Sequence, residues 1–291
     1  MILALCALLA FQEEAQELRW KYAPGEVLRY AMSQKVSTDA GGVPVRQQLS
    51  TTVSLEVVEV DPAGAVTFRA RYEAVAARAS GVQEVDYDSE RDREPPDDPA
   101  ARMLSRLVGQ SFTMGMGADG RVLAVRGYDK VADAMSQAVP GDEAVRARAR
   151  QALGQMFSDE AFKSRMQQMV PPLPTGKVKK GDTWSNEFAI GLPLVGQVGY
   201  RTRSRFSGVK DGLAALDQEI QVEFKGGDEP DHPLAGQVQA RDSRGTSSAL
   251  FSIERGRFVS QKASIDLVLV LGKTSVPVRA ETELRLLERK P

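Results

Sequence analysis

The residue types that most often carry catalysis are scarce in this chain. His232 is the only histidine and lies between two prolines in the stretch DEPDHPLAG. A hydrolytic triad with a histidine base would have to use it, and a proline-bounded loop holds an imidazole poorly within reach of a nucleophile. A structural zinc site needs three or four Cys or His ligands, and Cys6 is the only cysteine. We therefore expect no catalytic residue, no metal and no cofactor.

Carboxylates and glycines are the other candidates for chemistry. Glu56 with Glu59, and Glu281 with Glu283, lie on the polar phase of predicted strands. Carboxylates on one phase could face a cleft, as in a glycosidase, or form an ordinary hydrated face. The acidic stretch DYDSERDREPPDD lacks the spacing of a calcium loop and predicts a solvated loop. The glycines of GMGADG lead through a turn into RVLAV, which predicts a hairpin and no phosphate site.

Methionine is the unusual residue type of this sequence. Seven of the nine methionines lie between residues 103 and 169. Methionine is flexible and polarizable, and suits surfaces that accommodate apolar partners of varying shape. These side chains either fill a seam between helices and sheet or contact an apolar ligand. The residues predicted to contact a ligand are Met114, Met116, Met156, Phe157, Phe162, Met166 and Met169.

The elements that must position these side chains are mainly strands. In AVTFRARYE the apolar residues Val66, Phe68, Ala70 and Tyr72 alternate with polar ones, as in a strand with one buried face. Similar alternation recurs at residues 49–57, 216–224, 265–271 and 276–286. Parallel strands that are buried on both faces would give continuous apolar runs instead. The sequence predicts a mainly antiparallel β (α+β) fold.

Two phrases open similar runs, YAPGEVLRYAM near the N-terminus and VKKGDTWSNEF past the middle. Each continues into alternating strands, a hairpin, and a second hairpin whose tip carries Gly-Arg. The matching glycines are Gly25 with Gly181, Gly64 with Gly212, and Gly120 with Gly256. This order predicts two related β units, at residues 12–127 and 183–291, in a strongly curved sheet or half-barrel. A plain meander of hairpins would also place glycines at intervals.

Helices are predicted in two places. The first unit carries an insert at about residues 86–108, an acidic loop that ends as a short helix. Residues 128–170 form a helical segment, in which Ser158 can cap the helix that begins SDEAF, with Phe157 before the cap. The prolines of VPPLPTGKVKKG make residues 171–182 an extended connector. We expect these few short helices to pack on the sheet.

The first eleven residues, MILALCALLAF, form an apolar run that is too short to span a bilayer and suits a cleaved secretory signal. Export to the periplasm or the extracellular space is the favoured interpretation. Lipid attachment at Cys6 and a cytosolic protein with an apolar first strand are the alternatives. The 38 basic and 39 acidic residues nearly cancel, which predicts no nucleic-acid partner.

Several phrases of this chain resemble an uncharacterised family of exported bacterial proteins. They are LRWKYAPGEVLRYAMSQ, DGRVLAVRG, VKKGDTWSNE and AETELRLLERK. That resemblance brings no activity with it. The expected architecture also resembles the bacterial lipoprotein-carrier half-barrels, in which short helices lid an open antiparallel sheet that holds acyl chains. No residue carries over from that resemblance, because it is one of architecture.

These observations lead to two hypotheses. The first is a noncatalytic envelope protein, not integral to the membrane once the signal is removed, that binds an apolar or lipid-like ligand between the curved sheet and its helices. The second is a structural or protein-interaction module of the envelope with a filled core and no small-molecule ligand. A continuous apolar cavity favours the first hypothesis, and a filled core favours the second.

Overall fold

The computed structural model describes residues 14–81, 84–92, 96–170, 173–192, 196–225, 238–271 and 274–287. The predicted signal with Cys6, and also His232, lie outside these ranges. The strands of the first half are β1 (Val27–Ala40), β2 (Val43–Val60), β3 (Val66–Ser80), β4 (Val85–Asp88), β5 (Ser111–Met116) and β6 (Val122–Arg126). Those of the second half are β7 (Thr183–Leu192), β8 (Gly196–Lys210), β9 (Leu213–Lys225), β10 (Val238–Ser252), β11 (Arg257–Leu271) and β12 (Thr274–Leu287).

All of these strands belong to one antiparallel sheet. Its order is β6-β5-β3-β2-β1-β12-β11-β10-β9-β8-β7, and β4 pairs with β3 beside this path. The sheet is not closed, so β6 and β7 form its two edges. The predicted mainly antiparallel, curved sheet with few helices is confirmed. The alternation of apolar and polar residues produces this antiparallel sheet, because each strand has one apolar face and the hairpin turns join neighbouring strands.

Each half contributes a meander, and the two meanders meet at the centre of the sheet. The first runs outward from β1 to β6, and the second runs inward from β7 to β12. Strand β12 joins them by pairing with β1, from Arg29 opposite Leu287 to Thr38 opposite Val278. The two halves therefore form one continuous sheet. A common origin of the two halves stays a prediction.

Four helices accompany the sheet: α1 (Pro99–Ser105), α2 (Asp129–Gln137), α3 (Glu143–Met156) and α4 (Asp159–Met169). Capping side chains begin three of them. Asp98 accepts a hydrogen bond from the backbone of Ala101 at 2.8 Å, and Asp142 accepts one from Val145 at 2.9 Å. Ser158 accepts one from Ala161 at 3.1 Å, which confirms the predicted cap of α4. Among the described residues, the helices are all too short or too polar to cross a membrane.

The first core lies between the first-half strands and the helices. Phe68, Ala70, Met114 and Val122 contribute the sheet side of this core and are almost completely buried. Helix α2 packs on them through three buried residues, α3 contributes Leu153, and α4 adds partly buried side chains. The helical segment between the two meanders thus covers the apolar face of the first half.

The second core is covered by irregular chain. Phe206, Leu216, Phe251 and Phe258 of β8 to β11 pack there against Leu18, Leu173 and Val178. Leu18 belongs to a segment that we call the N-terminal strap (residues 14–25). Gln16 of the strap exchanges two backbone hydrogen bonds of 2.8 Å with Val178 of the connector. The strap was predicted as the beginning of the first unit, and it packs on the second core because its apolar side chains complete that core.

The strap passes both of the matching hairpin tips. Trp20 packs against Phe251 and Phe258 at centroid distances of 5.6 and 5.3 Å and also touches the first core. At the β5–β6 tip, a Cβ on Gly120 would lie 2.5 Å from Trp20 Nε1. At the β10–β11 tip, a Cβ on Gly256 would lie 2.5 Å from the backbone nitrogen of Lys21. Glycine is needed at both tips, for positive φ and for this close approach.

An ion pair at Glu26, directly after the strap, ties this part of the chain to the second half. Arg257 of β11 is 8% exposed and donates to both carboxylate oxygens of Glu26, at 2.6 and 3.2 Å. The same guanidinium donates to the carbonyl oxygens of Arg255 and Lys21, at 2.9 and 3.4 Å. Its charge is therefore compensated and several of its N–H groups are satisfied, as a buried guanidinium requires.

Candidate functional site

A groove in the described structure has a volume of about 1290 Å³ and is lined mostly by polar side chains. We call it the polar groove. It crosses the middle of the sheet from β2 to β7, on the face opposite the helices. Successive residues of a strand point to opposite faces, so Ser33 and Lys35 of β1 face the groove, whereas Leu28 and Tyr30 face the covered side.

Two rungs of paired residues form the floor of the polar groove. Each rung joins residues that lie directly opposite one another on neighbouring strands. The first rung is Ser50, Ser33, Glu283, Lys262, Ser248, Asp217, Arg205 and Thr183. The second is Gln48, Lys35, Glu281, Ser264, Thr246, Glu219 and Arg203. In both rungs, pairs of neighbouring residues of opposite charge are separated from each other by hydroxyl side chains.

Charges in the polar groove balance. Its described lining includes four basic and four acidic residues, and none of its described lining residues is aromatic. Lys262 lies 3.5 Å from Glu283, and Arg279 at the rim lies 2.9 Å from Glu281. Within the described ranges, Arg203 and Arg205 make no side-chain ion pair, although Glu219 and Asp217 lie opposite them in register. The groove can therefore offer guanidinium donors, carboxylate acceptors and hydroxyls to a polar partner.

Glu281 and Glu283 were candidates for a cleft-facing carboxylate pair, and both line this groove. Their neighbours are basic or hydroxyl residues rather than apolar ones. Lys262 lies beside Glu283, and Arg279 lies beside Glu281. This geometry suits hydrogen bonding and ion pairing to a polar ligand.

The residues that were predicted to contact an apolar ligand lie on the other face of the sheet. Met114 and Met116 are each 4% exposed within the first core. Phe162 inserts beside Phe112 and Tyr128, with ring centroids 4.7 and 4.2 Å apart. Phe157 and Met166 also pack against this core, whereas Met156 is 51% exposed.

The structure thus brings together Met114, Met116, Phe157, Phe162 and Met166 and separates Met156 from them. The side chain of Met169 lies outside the described side chains. Phe162 of α4 occupies part of the seam beside this cluster, in contact with Phe112 and Tyr128. Ligand contact by these residues stays a prediction.

A buried pair of tyrosines lies beneath α4. The hydroxyl oxygens of Tyr72 and Tyr128 are 3.1 Å apart and share a hydrogen bond. Burial raises the pKa of Tyr72, and the neighbouring Tyr128 raises it further. Burial also raises the pKa of Tyr128, although the guanidinium of Arg165 opposes this shift. Both hydroxyls therefore stay protonated and act as structural hydrogen-bonding groups rather than as bases.

Sequence reasoning did not identify the polar groove. The residues of its two rungs lie on the polar phase of eight strands, and any hydrated face gives the same alternation. One signal was present: hydroxyl residues and opposite charges recur on strands that are far apart in sequence, such as Ser33, Lys262 and Arg205. Their alignment into rungs depends on strand register, which periodicity alone does not give.

A family model for a family of unknown function (DUF6263) matches residues 63–255, about two thirds of the chain. The chain belongs to the DUF6263 family. The matched range runs from the β2–β3 turn into the β10–β11 hairpin and includes the helices and both sheet edges. The predicted membership of an uncharacterised family is confirmed. None of the curated proteins matches this DUF6263 chain.

Two solved structures are similar at a very low level. The crystal structure of Pseudomonas aeruginosa OpdQ has 8% identity and a TM-score of 0.15, over 88% of this chain and 66% of that protein. The crystal structure of Pseudomonas aeruginosa OpdK with vanillate has 8% identity and a TM-score of 0.14, over 89% of this chain and 67% of that protein. This chain spans about two thirds of their length. Scores this low carry no argument about fold or function.

Proposed function

We propose that this DUF6263 protein is a noncatalytic, exported envelope protein that binds an extended polar segment of a partner protein in its polar groove. The observation that carries the proposal is the separation of the two faces of the sheet. On the apolar face, helices pack on the first core and the strap and connector pack on the second, whereas the open face carries a charge-balanced groove.

The size and chemistry of the polar groove favour a polypeptide over a small molecule. Small-molecule pockets usually have volumes of about 300–1,000 Å³ and mainly apolar or aromatic linings. This groove has a volume of about 1290 Å³, with a polar lining that extends from β2 to β7. Its balanced charge also disfavours a nucleic acid, which requires a basic surface. An extended chain with mixed charges can pair with both rungs along their length.

Site-specific photo-crosslinking in the native envelope tests this proposal. A benzophenone amino acid at Ser248, in the centre of the groove, should give a discrete protein adduct that mass spectrometry identifies. The matched control is the same amino acid at Leu123, which is 55% exposed on β6 and outside the groove. Adducts at Leu123 but not at Ser248 would contradict the proposal. Fractionation of the same cells tests export, because a cytosolic location contradicts an envelope role.

A second candidate function is binding of an apolar or lipid-like ligand under α3 and α4. It is favoured by the shallow attachment of α3, in which Leu153 is the only buried residue among those with described side chains. Val145 and Met156 of this helix are 40% and 51% exposed. Displacement of the helices would open the Met and Phe cluster to a ligand. Titration with a fluorescent fatty acid tests this candidate, and binding that survives both Phe162→Ala and Met166→Ala contradicts it.

A further inference from the structure

Strand β7 is an edge of the sheet, and no strand within the described ranges pairs with its outer side. It runs for ten residues, Thr183–Leu192, and its register with β8 is unbroken from Thr183 opposite Arg205 to Leu192 opposite Gly196. An edge strand exposes a row of backbone N–H and C=O groups that can pair with another strand. Proteins usually block such an edge with lysine, proline, a bulge or a short length. The sequence TWSNEFAIGL contains neither lysine nor proline, and the strand has no bulge.

The opposite edge has the protection that β7 lacks. Strand β6 is only five residues long, Val122–Arg126, and its pairing with β5 contains a register shift. Helix α4 packs closely against β6 and only slightly against β7. A β7 edge of one molecule therefore cannot continue onto β6 of another over any useful length. Head-to-tail growth into filaments is disfavoured, and a closed pair is the remaining symmetric arrangement.

We infer that β7 pairs antiparallel with β7 of a second copy of this chain and forms a two-fold symmetric dimer. A two-fold axis perpendicular to the sheet keeps the apolar faces of both copies on one side. Opposite residues point to the same face of the sheet and so have numbers of equal parity. The axis therefore passes midway between one residue and its own copy in the second chain.

The charge of Glu187 decides which residue of β7 lies beside the two-fold axis, opposite its own copy. The two choices that keep the pairing longest centre on Glu187 or on Phe188, and a Glu187 axis would bring two like carboxylates face to face. An axis at Phe188 places Glu187 opposite Ala189 of the second copy and removes that repulsion. Glu187 is the only ionisable residue of β7, and it already accepts a hydrogen bond from Arg201 Nε at 2.7 Å. About this axis, β7 can therefore pair with itself without placing like charges directly opposite each other.

Side chains on the apolar face support the same axis. Phe188 stacks on Tyr200 of β8 with ring centroids 5.1 Å apart and an angle of 10° between the rings. Phe188 is only partly buried in the single chain. Pairing about Phe188 brings the two Phe188 rings to neighbouring positions and extends this stack across the dimer. Aromatic pairs of this kind are among the favourable cross-strand contacts.

A matched set of charge variants at the two edges tests the dimer. Ala189 and Ala124 are both exposed alanines, on β7 and on β6 respectively. Ala189→Glu places a carboxylate opposite Glu187 of the second copy, twice by symmetry, and should weaken the dimer by about tenfold or more. Ala189→Lys creates two opposite-charge pairs and should tighten it by a few fold. Ala124→Glu and Ala124→Lys should leave the association unchanged.

Sedimentation equilibrium of the full chain over a wide concentration range measures these constants, with circular dichroism to verify folding. Hydrogen exchange should show that the β7 amides become more protected as concentration rises and the β6 amides do not. A wild-type protein that stays monomeric overturns the inference, and so do Ala189 variants that associate like the wild type. A monomer that instead binds an extended peptide along β7 also overturns it, since the edge would then serve a different partner. The result of this dimerisation test does not depend on the result of the photo-crosslinking test at Ser248, so the two proposals can fail separately.

Discussion

Helices α2 to α4 cover the apolar face of the first half of the sheet, whereas irregular chain covers that of the second half. The two halves have the same meander order, and each exposes an apolar face that one sheet layer cannot bury alone. In the first half the seam is filled by Phe162 and its aromatic neighbours. In the second half it is filled by Leu18 and Trp20 of the strap. A covering layer therefore needs apolar side chains at suitable spacing and does not need regular secondary structure.

The two halves also differ in how far along the chain the covering segment lies from the strands that it covers. The helical segment follows β6 directly in the chain and covers the meander that it has just left. The strap lies at the start of the chain and covers strands from β8 to β11, more than 180 residues later. Long-range contacts of this kind tie the N-terminal segment to the last strands. We expect the second core to depend on the strap as strongly as the first depends on α4.

The largest expected effect comes from emptying the second core. Phe251 is 0% exposed and contacts both Trp20 and Phe258. Phe251→Ala should reduce the free energy of unfolding by about 3–5 kcal/mol, as large-to-small core changes do. Urea denaturation measures this loss. Phe162→Ala is the first-half counterpart and should cost somewhat less, because Phe162 is only partly buried. A loss below about 1 kcal/mol for Phe251→Ala would mean that the strap side is loosely packed.

The contact between strap and hairpin tip is tested by glycine substitutions. Gly256 has φ of +60°, and an added Cβ would lie 2.5 Å from three atoms of Lys21. Gly212 has φ of +75° with nothing within 4 Å of the added Cβ. Gly212→Ala should cost about 1–2 kcal/mol for the left-handed backbone alone. Gly256→Ala should cost clearly more, since the strap must also move. Equal losses in thermal or urea unfolding would show that the strap does not press on this tip.

The ion pair at the end of the strap should matter more than a surface pair of the first half. Glu26→Ala leaves Arg257 almost buried without its carboxylate and should cost about 2 kcal/mol. The matched control is Glu56→Ala, which removes an exposed pair with Arg69 and should cost about 0–1 kcal/mol. Unfolding at low and high salt provides the measurement. A loss that falls with salt as steeply as that of Glu56→Ala would argue against a desolvated pair.

A small effect is expected on the outer surface of α3. Met156 is 51% exposed, so Met156→Ala should change the free energy of unfolding by no more than about 0.5 kcal/mol. Met114→Ala, at a position that is 4% exposed, should cost about 2–5 kcal/mol. Differential scanning fluorimetry distinguishes these outcomes. A large loss for Met156→Ala would indicate that its side chain packs against a partner or a second conformation of the helices.

The smallest expected effect is a local pH response in the insert of the first half. Hydrogen bonds from Arg91 and from the backbone N–H of Asp88 hold the pKa of Asp92 at about 2. A depressed carboxyl pKa gives stabilisation that is complete above the unfolded value and is lost as pH falls through about 2. NMR titration of the Asp92 carboxyl carbon should give that midpoint. Arg91→Gln should move it upward, and an unchanged midpoint in this variant would contradict the assigned cause.

Much of the fold could be predicted from local patterns. Alternation gave the strands, Gly-rich turns gave the hairpins at Gly64, Gly120 and Gly212, and the Ser158 cap gave the start of α4. The central pairing of β12 with β1 was not predicted, because it joins the two ends of the chain and has no local signature. The candidate site shows the same limit. Each rung residue can be recognised in the sequence as a polar strand position, but the alignment of these residues into rungs depends on the pairing register of the strands.

The sequence by itself determined the strand class, the turns and the helical segment, because hydrophobic period, glycine conformation and capping act over a few residues. Tertiary structure decided that one sheet contains both halves, that the strap covers the distant second core, and that Lys35, Arg205 and Glu283 share one groove. It also decided how α4 meets the two edges of the sheet, since this helix packs closely on β6 and only slightly on β7. These outcomes depend on which apolar surfaces meet, and that is a property of the folded chain as a whole rather than of any short segment.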